Sequence, residues 1–216
     1  QSEFYEELIE TKEGFPEGTQ YVLENPDSFP GVLGTIADVF QVDEKYRDAL
    51  ETGLGDLSHC MISKDRKTAL QILDKAVAQS AGNLTIIPLK EATDYKMQLM
   101  EVPNNQNVIA RASEIIKTDK KLEPLADYIL GNLLIVNDLK KAANDNSLSG
   151  WTLVDLKGSY SGSDLVIKSR QISEHGNLIG RKKKLEIIGK ELKKIQDGEE
   201  KILKEQALVD DKIENA

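Results

Sequence analysis

Nine positions near the end of the chain, Leu185, Ile188, Leu192, Ile195, Glu199, Ile202, Gln206, Val209 and Ile213, alternate at spacings of three and four, and seven of them are apolar. That spacing is the heptad seam of a coiled coil, in which each helix contributes one apolar stripe. Gly189 and Gly198 weaken the stripe locally, because glycine costs about 1 kcal/mol against alanine inside a helix. At the other end Tyr5, Leu8, Lys12 and Phe15 keep a three-four-three spacing, which predicts a short helix over 1–13 stopped by Gly14 and Pro16. Residues 14–31 are rich in Gly, Pro, Asn and Asp. They read as an ordered loop, with at most a short strand or helical turn at 21–23.

Between these ends a pattern repeats. Residues 43–57 (DEKYRDALETGLGDL) and 119–133 (DKKLEPLADYILGNL) align at a constant offset of 76, matching Asp43 to Asp119, Leu54 to Leu130, Gly55 to Gly131 and Leu57 to Leu133. Each copy predicts a helix of about three turns ending at a glycine, the residue that most easily takes the left-handed conformation past a helix end. A short apolar run follows each, at 60–62 and 133–136, and reads as a buried strand. A further helix is predicted over 65–80, with a shorter counterpart at 139–146. Remaining strand candidates are 83–88, 151–156 and 165–168. The pattern predicts a mixed α+β fold of two pseudo-twofold-related subdomains at the tip of an antiparallel coiled coil. Its divisions are an incoming arm stub at 1–13, subdomains at 14–100 and 101–180, and an outgoing stub at 181–216.

Charge supports the antiparallel arrangement. The incoming segment carries Glu3, Glu6, Glu7, Glu10 and Glu13 against Lys12, while the outgoing one carries Arg181, Lys182, Lys183, Lys184, Lys190, Lys193 and Lys194 against Glu186 and Glu191. Exposed pairs of this kind are worth about 0.2–1 kcal/mol each, but together they select partner and orientation. Leu8 is expected against the seam near Leu185 and Ile188.

The net charge of −9 over 216 residues argues against a dedicated duplex-DNA binder. No apolar run approaches the ~20 residues that span a bilayer, and the acidic 1–13 segment does not resemble a secretory leader. One cysteine, Cys60, fits a reducing cytoplasm, and with only His59 and His175 beside it a zinc site is not expected.

Catalytic motifs are missing from the sequence. The 31–34 segment (GVLG) lacks the length and lysine of a phosphate-binding loop and reads as a turn. In 158–163 (GSYSGS) Tyr160 occupies the place where a nucleophile elbow needs serine. His59, between a predicted helix and strand, reads as a packing residue, His175 as solvated, and Cys60 as a small hydrophobe. No catalytic constellation and no cofactor are expected.

Several segments resemble the hinge domain of bacterial SMC (structural maintenance of chromosomes) proteins. These are 29–57 (FPGVLGTIADVFQVDEKYRDALETGLGDL), 82–89 (GNLTIIPL), 127–142 (DYILGNLLIVNDLKKA) and 176–188 (GNLIGRKKKLEII). The likeness covers essentially the whole chain. It implies a homodimer that joins two coiled-coil arms, intramolecular arm pairing and no membrane, with an ATPase head outside this segment and a cytoplasmic, nucleoid-associated setting. It further implies weak DNA contact, single-stranded preferred, through Arg181, Lys182, Lys183, Lys184 and Lys190, and a dimer interface including Thr85, Ile86, Ile87 and Pro88. The family's interface also carries a four-glycine pattern near the end of the second half. Gly158 matches its first glycine, while Leu165, Ser169 and Arg170 stand where the others are expected. Chain trimmed to 25–179 is expected to remain dimeric. The alternatives are a dedicated nucleic-acid-binding module, an SMC-like DNA-repair hinge, and a small α/β enzyme.

Overall fold

A computed structural model describes residues 14–162, 166–168, 179, 185–195 and 197–198. The expected helix at 1–13 and the heptads beyond 198 lie outside the described residues. Helix α1 (Glu17–Glu24) comes first. Part of the 14–31 segment expected as a loop is therefore helical, beyond the single turn allowed at 21–23; Pro16 stands at the N-cap and Thr19 and Val22 are buried beneath the helix. Two copies of one unit follow. The first runs β1 (Val32–Thr35), α2 (Ile36–Val39), α3 (Arg47–Leu54), β2 (Met61–Ser63), α4 (Arg66–Ala78), β3 (Ile86–Pro88) and α5 (Leu89–Asp94). The second runs β4 (Val108–Arg111), α6 (Ala112–Ile115), α7 (Glu123–Leu130), β5 (Leu133–Val136), α8 (Leu139–Ala143) and β6 (Thr152–Asp155), then adds β7 (Tyr160–Ser161) and β8 (Ile167–Lys168).

The copies match in detail. Val32–Thr35 recurs as Val108–Arg111 and Arg47–Leu54 as Glu123–Leu130, each 76 residues on. The first copy then inserts a 3-10 turn, Gly55–His59, so the next equivalents, the helix N-caps Asp65 and Asp138, are 73 apart. Each of these aspartates accepts the backbone N–H three residues on, Thr68 at 2.8 Å and Lys141 at 3.1 Å, which satisfies a donor that the helix leaves unpaired. In both copies the first strand is antiparallel to the second, which is parallel to the third. Even the register slip repeats, between Val32 and Gly34 in one copy and Val108 and Ala110 in the other.

That slip explains a correction. The GVLG segment is mostly strand β1, not a turn; the extra residue, Leu33, is squeezed out of the ladder and is exposed. A second correction concerns the helix-ending glycines. Gly55 has a positive φ of +52 but a ψ of −130, away from the left-handed helical conformation, and Gly131 has φ −65. Gly131 is needed for space, because a Cβ there would collide with Leu99 Cδ2 and the Asp127 carbonyl.

Gln41 and Lys117, equivalent positions 76 apart, bond to each other: Gln41 N–H donates to Lys117 O at 3.0 Å and Lys117 N–H to Gln41 O at 2.7 Å. A residue paired with its own repeat lies on the symmetry axis, so the internal pseudo-twofold passes through this bridge. Around it sits one shared core. From the first copy Ile36, Phe40, Leu50, Leu54 and Ile62 enter it, and from the second Leu125, Leu130, Leu133, Ile135 and Val154. Helix α3 packs on strand β6 of the other copy, and α5 packs on α7. Gly53 permits the approach, since a Cβ would strike Leu133 Cδ2. The opposite sheet faces close smaller cores: Met61 with Val22, Phe29 and Ile72, and Leu134 and Leu153 with Leu148 and Trp151. Residues 185–195 are helical. No helix among the described residues is long and apolar enough to cross a membrane.

Candidate dimer interface and arm root

Among the described residues both sheets leave an edge open, and the two edges differ. The second sheet runs β4-β5-β6-β7-β8, whereas the first stops at β3, the equivalent of β6. Leu153 and Val154 of β6 receive Ser161 and Tyr160 of antiparallel β7. Among the described residues, their equivalents Ile86 and Ile87 have β2 on one side and no strand on the other. Thr85 is exposed and Ile86, Ile87 and Pro88 are half-buried. Pro88 has no N–H to offer a ladder and suits an edge strand. Of the expected interface residues, these four lie together on that edge.

Gly158 is buried in the turn between β6 and β7, with φ +80, a region that disfavours a side chain. The Asp155 carboxylate organises the turn by accepting the N–H groups of Lys157 at 2.9 Å and Ser159 at 2.8 Å. Strand β8 forms the far edge, through Tyr160↔Lys168 and Ser161↔Ile167. Ile167 on it is 78% exposed; it falls in the strand candidate 165–168 of the sequence, within the 151–168 region expected to pair with 83–88 of a second copy, but is not itself among the expected interface residues. Leu165, Ser169 and Arg170 lie outside the described residues, as do Arg181, Lys182, Lys183 and Lys184. Lys190 is exposed on the 185–195 helix, together with Lys193 and Lys194.

The start of the domain is tied down near His59. Its ring meets Phe15 edge-to-face at 6.0 Å, and Thr19 Oγ1 donates to its carbonyl at 3.5 Å. Burial pushes the His59 pKa below its ordinary 6.5, with Asp56 opposing more weakly. The folded state therefore favours neutral imidazole, and protonation favours unfolding. Stability should fall as pH drops below about 6.5 and level off once the folded state also protonates. Urea midpoints at pH 7.5 and pH 5 should differ less in His59→Gln than in the parent chain; an equal difference would exclude His59 as the source. Cys60 is also buried, its thiol pushed up to about 11, chiefly by burial. Among the described residues no group of His, Cys, Asp and Glu could hold a metal ion.

The family described as the flexible hinge domain of SMC proteins matches residues 29–144, from before β1 to the end of α8. The chain belongs to that family. A hinge is a structural domain of its parent protein. Two chromosome partition proteins Smc resemble this hinge: that of Halothermothrix orenii is 29% identical over 197 residues, and that of Bacillus subtilis 25% over 201. Each alignment covers 88% of this chain but 16% and 17% of the relative, so the hinge spans about one-sixth of their length. Among solved structures, the Geobacillus stearothermophilus SMC hinge, crystallised as an asymmetric dimer, superposes with a TM-score of 0.79 at 22% identity, covering 91% of this chain and 81% of that one. A Pyrococcus furiosus Smc hinge with an extended coiled coil gives 0.62 at 22% identity, covering 91% and 72%. These likenesses show the α+β hinge fold.

Proposed function

We propose that this hinge homodimerises by mutual strand addition, β8 of each copy laid along β3 of the other, and thereby joins the two arms of a chromosome-partition ATPase. The observation that carries this reading is the mismatch between the copies: among the described residues β6 is flanked by a ribbon, while its equivalent β3 has no strand beyond it and carries Ile86 and Ile87. A strand added there completes the backbone ladder and covers apolar side chains. The arrangement is self-complementary, so a single twofold axis makes the contact twice. The division into stubs at 1–13 and 181–216 around subdomains 14–100 and 101–180 follows from the repeat and the seam. The role is mechanical, with no reaction at this site, in a cytoplasmic protein of the nucleoid.

Light scattering of the whole chain at tens of micromolar should give twice its 24.0 kDa mass; a monomer at that concentration would refute the proposal. Trimming to 25–179 would perturb folding as well as pairing. It would remove α1, which buries Val22 and whose Gly18 lies against the Gly82 and Asn83 carbonyls just before β3.

Weak DNA contact, single-stranded preferred, belongs to the same reading and rests on the cations around the outgoing helix, of which Lys190, Lys193 and Lys194 are exposed. Binding should weaken with salt at a log–log slope of about −0.7 per phosphate contacted. Changing Lys182, Lys183 and Lys184 together to Glu should abolish low-salt retention of an oligonucleotide and leave the mass unchanged. Undiminished retention would exclude the cluster.

A further inference from the structure

The two copies treat their trailing segments alike. After the first copy the chain crosses helix α7 of the second: Tyr95 meets Tyr128 edge-to-face at 5.2 Å, Leu99 occupies the space over Gly131, and the Arg111 guanidinium donates to the Met100 carbonyl. After the second copy the chain returns to α3, the pseudo-twofold mate of α7. There Ile179 is 1% exposed within the shared core. Its backbone N–H donates to Glu51 Oε1 at 2.9 Å, across 128 residues of sequence. Glu51 is half-buried on α3, between core residue Leu50 and Gly53, where α3 approaches β5. The position equivalent to Glu51 in α7 is Asp127, one methylene shorter.

We propose that Glu51 is a positioning residue for the outgoing arm: its carboxylate holds the backbone of Ile179 and so sets where the helix after it leaves the domain. This rests on the hinge reading, in which an arm follows. Ile179 stands six residues before the 185–195 helix, so anchoring its backbone and side chain fixes the pivot of a long lever. A small displacement at the pivot becomes a large one along the arm. A backbone N–H donated to a carboxylate is a charge-assisted bond, stronger than a neutral one. The core contact of the side chain alone fixes depth; the bond adds direction.

The test is a spin-label distance between Asp74 on α4 and Glu191 on the outgoing helix, both exposed, each changed to Cys in a Cys60→Ala background. Labelled chain is diluted into excess unlabelled chain so that only distances within one copy are read. Glu51→Gln keeps an oxygen acceptor at the same reach and should leave the distribution close to the parent's. Glu51→Asp keeps the charge but withdraws the reach, and Glu51→Ala removes both; each should shift and widen the distribution. Ile179 amide exchange should quicken by about tenfold or more in those two variants. An unshifted distribution in Glu51→Asp and Glu51→Ala overturns the proposal, as does Glu51→Gln shifting while Glu51→Asp does not, since charge rather than the bond would then govern. Light scattering of each variant is read separately. Loss of the dimer in the parent chain would count against strand pairing and leave the Glu51 comparison intact, because the distance lies within one copy.

Discussion

Phe40→Ala should destabilise the domain by about 3–5 kcal/mol and lower the stability of both copies together. Phe40 has no exposed surface and sits where the two copies interleave. Its equivalent across the pseudo-twofold, Ile116, packs against the same cluster. Removing the ring leaves a cavity that residues from either copy can only partly fill. Trp151 is a natural reporter, because it is the single tryptophan and lies in the outer core of the second copy, away from Phe40. If the core is one cooperative unit, the Trp151 fluorescence midpoint in urea should move down in step with the far-ultraviolet circular dichroism midpoint. A Trp151 transition that stays at the parent's midpoint while the dichroism splits into two steps would mean that each copy folds on its own.

The duplication was legible because a helix and its terminal Leu-Gly recur at one constant offset and a short apolar run follows each copy. Strand β5 (Leu133–Val136) and helix α4 (Arg66–Ala78) fall within one or two residues of their sequence expectations. What escaped was structure whose signal is not periodic. Strands β1 and β4 have four residues each and carry a bulge, so the alternation that marks a strand is broken halfway, and in β1 a glycine stands at the break. Helix α1 lies in a segment whose Pro, Gly and Asn content argues against helix, and it is held by tertiary burial of Val22 and Thr19. The offset also drifts from 76 to 73, and to 67 by β3 and β6 (Ile86 to Leu153), because the first copy adds a 3-10 turn and α4 has 13 residues where α8 has 5. Past the first helix and strand the repeat therefore fades by eye. At the candidate interface Ile86, Ile87 and Pro88 could be singled out as an apolar strand. That β3, among the described residues, lacks the neighbour its equivalent possesses is a property of the sheet. The Glu51–Ile179 bond spans 128 residues and leaves no local trace.

Ile167→Lys should convert the dimer to monomer over the micromolar range without harming the fold. Ile167 is 78% exposed on a terminal strand, so its replacement removes no core contact from the isolated chain. Lysine on an edge strand is a device by which proteins keep edges from pairing, because the ammonium resists burial against another sheet. In the proposed dimer the side chain would lie at the β8–β3 junction. A central interface residue of this kind typically costs about 2 kcal/mol or more when disrupted. Twofold symmetry places the substitution in both junctions, so the loss is about 4 kcal/mol, or roughly a thousandfold in dissociation constant. Sedimentation velocity over a dilution series should show this shift, with thermal melting at low concentration unchanged. Val77→Lys is the matched control: Val77 is equally apolar and 76% exposed, but it stands on helix α4 and on neither β3 nor β8. It should leave the dissociation constant within about threefold of the parent's, the scale of an ordinary surface substitution. Equal weakening by both substitutions would point to a general charge effect, and no weakening by Ile167→Lys would remove β8 from the interface.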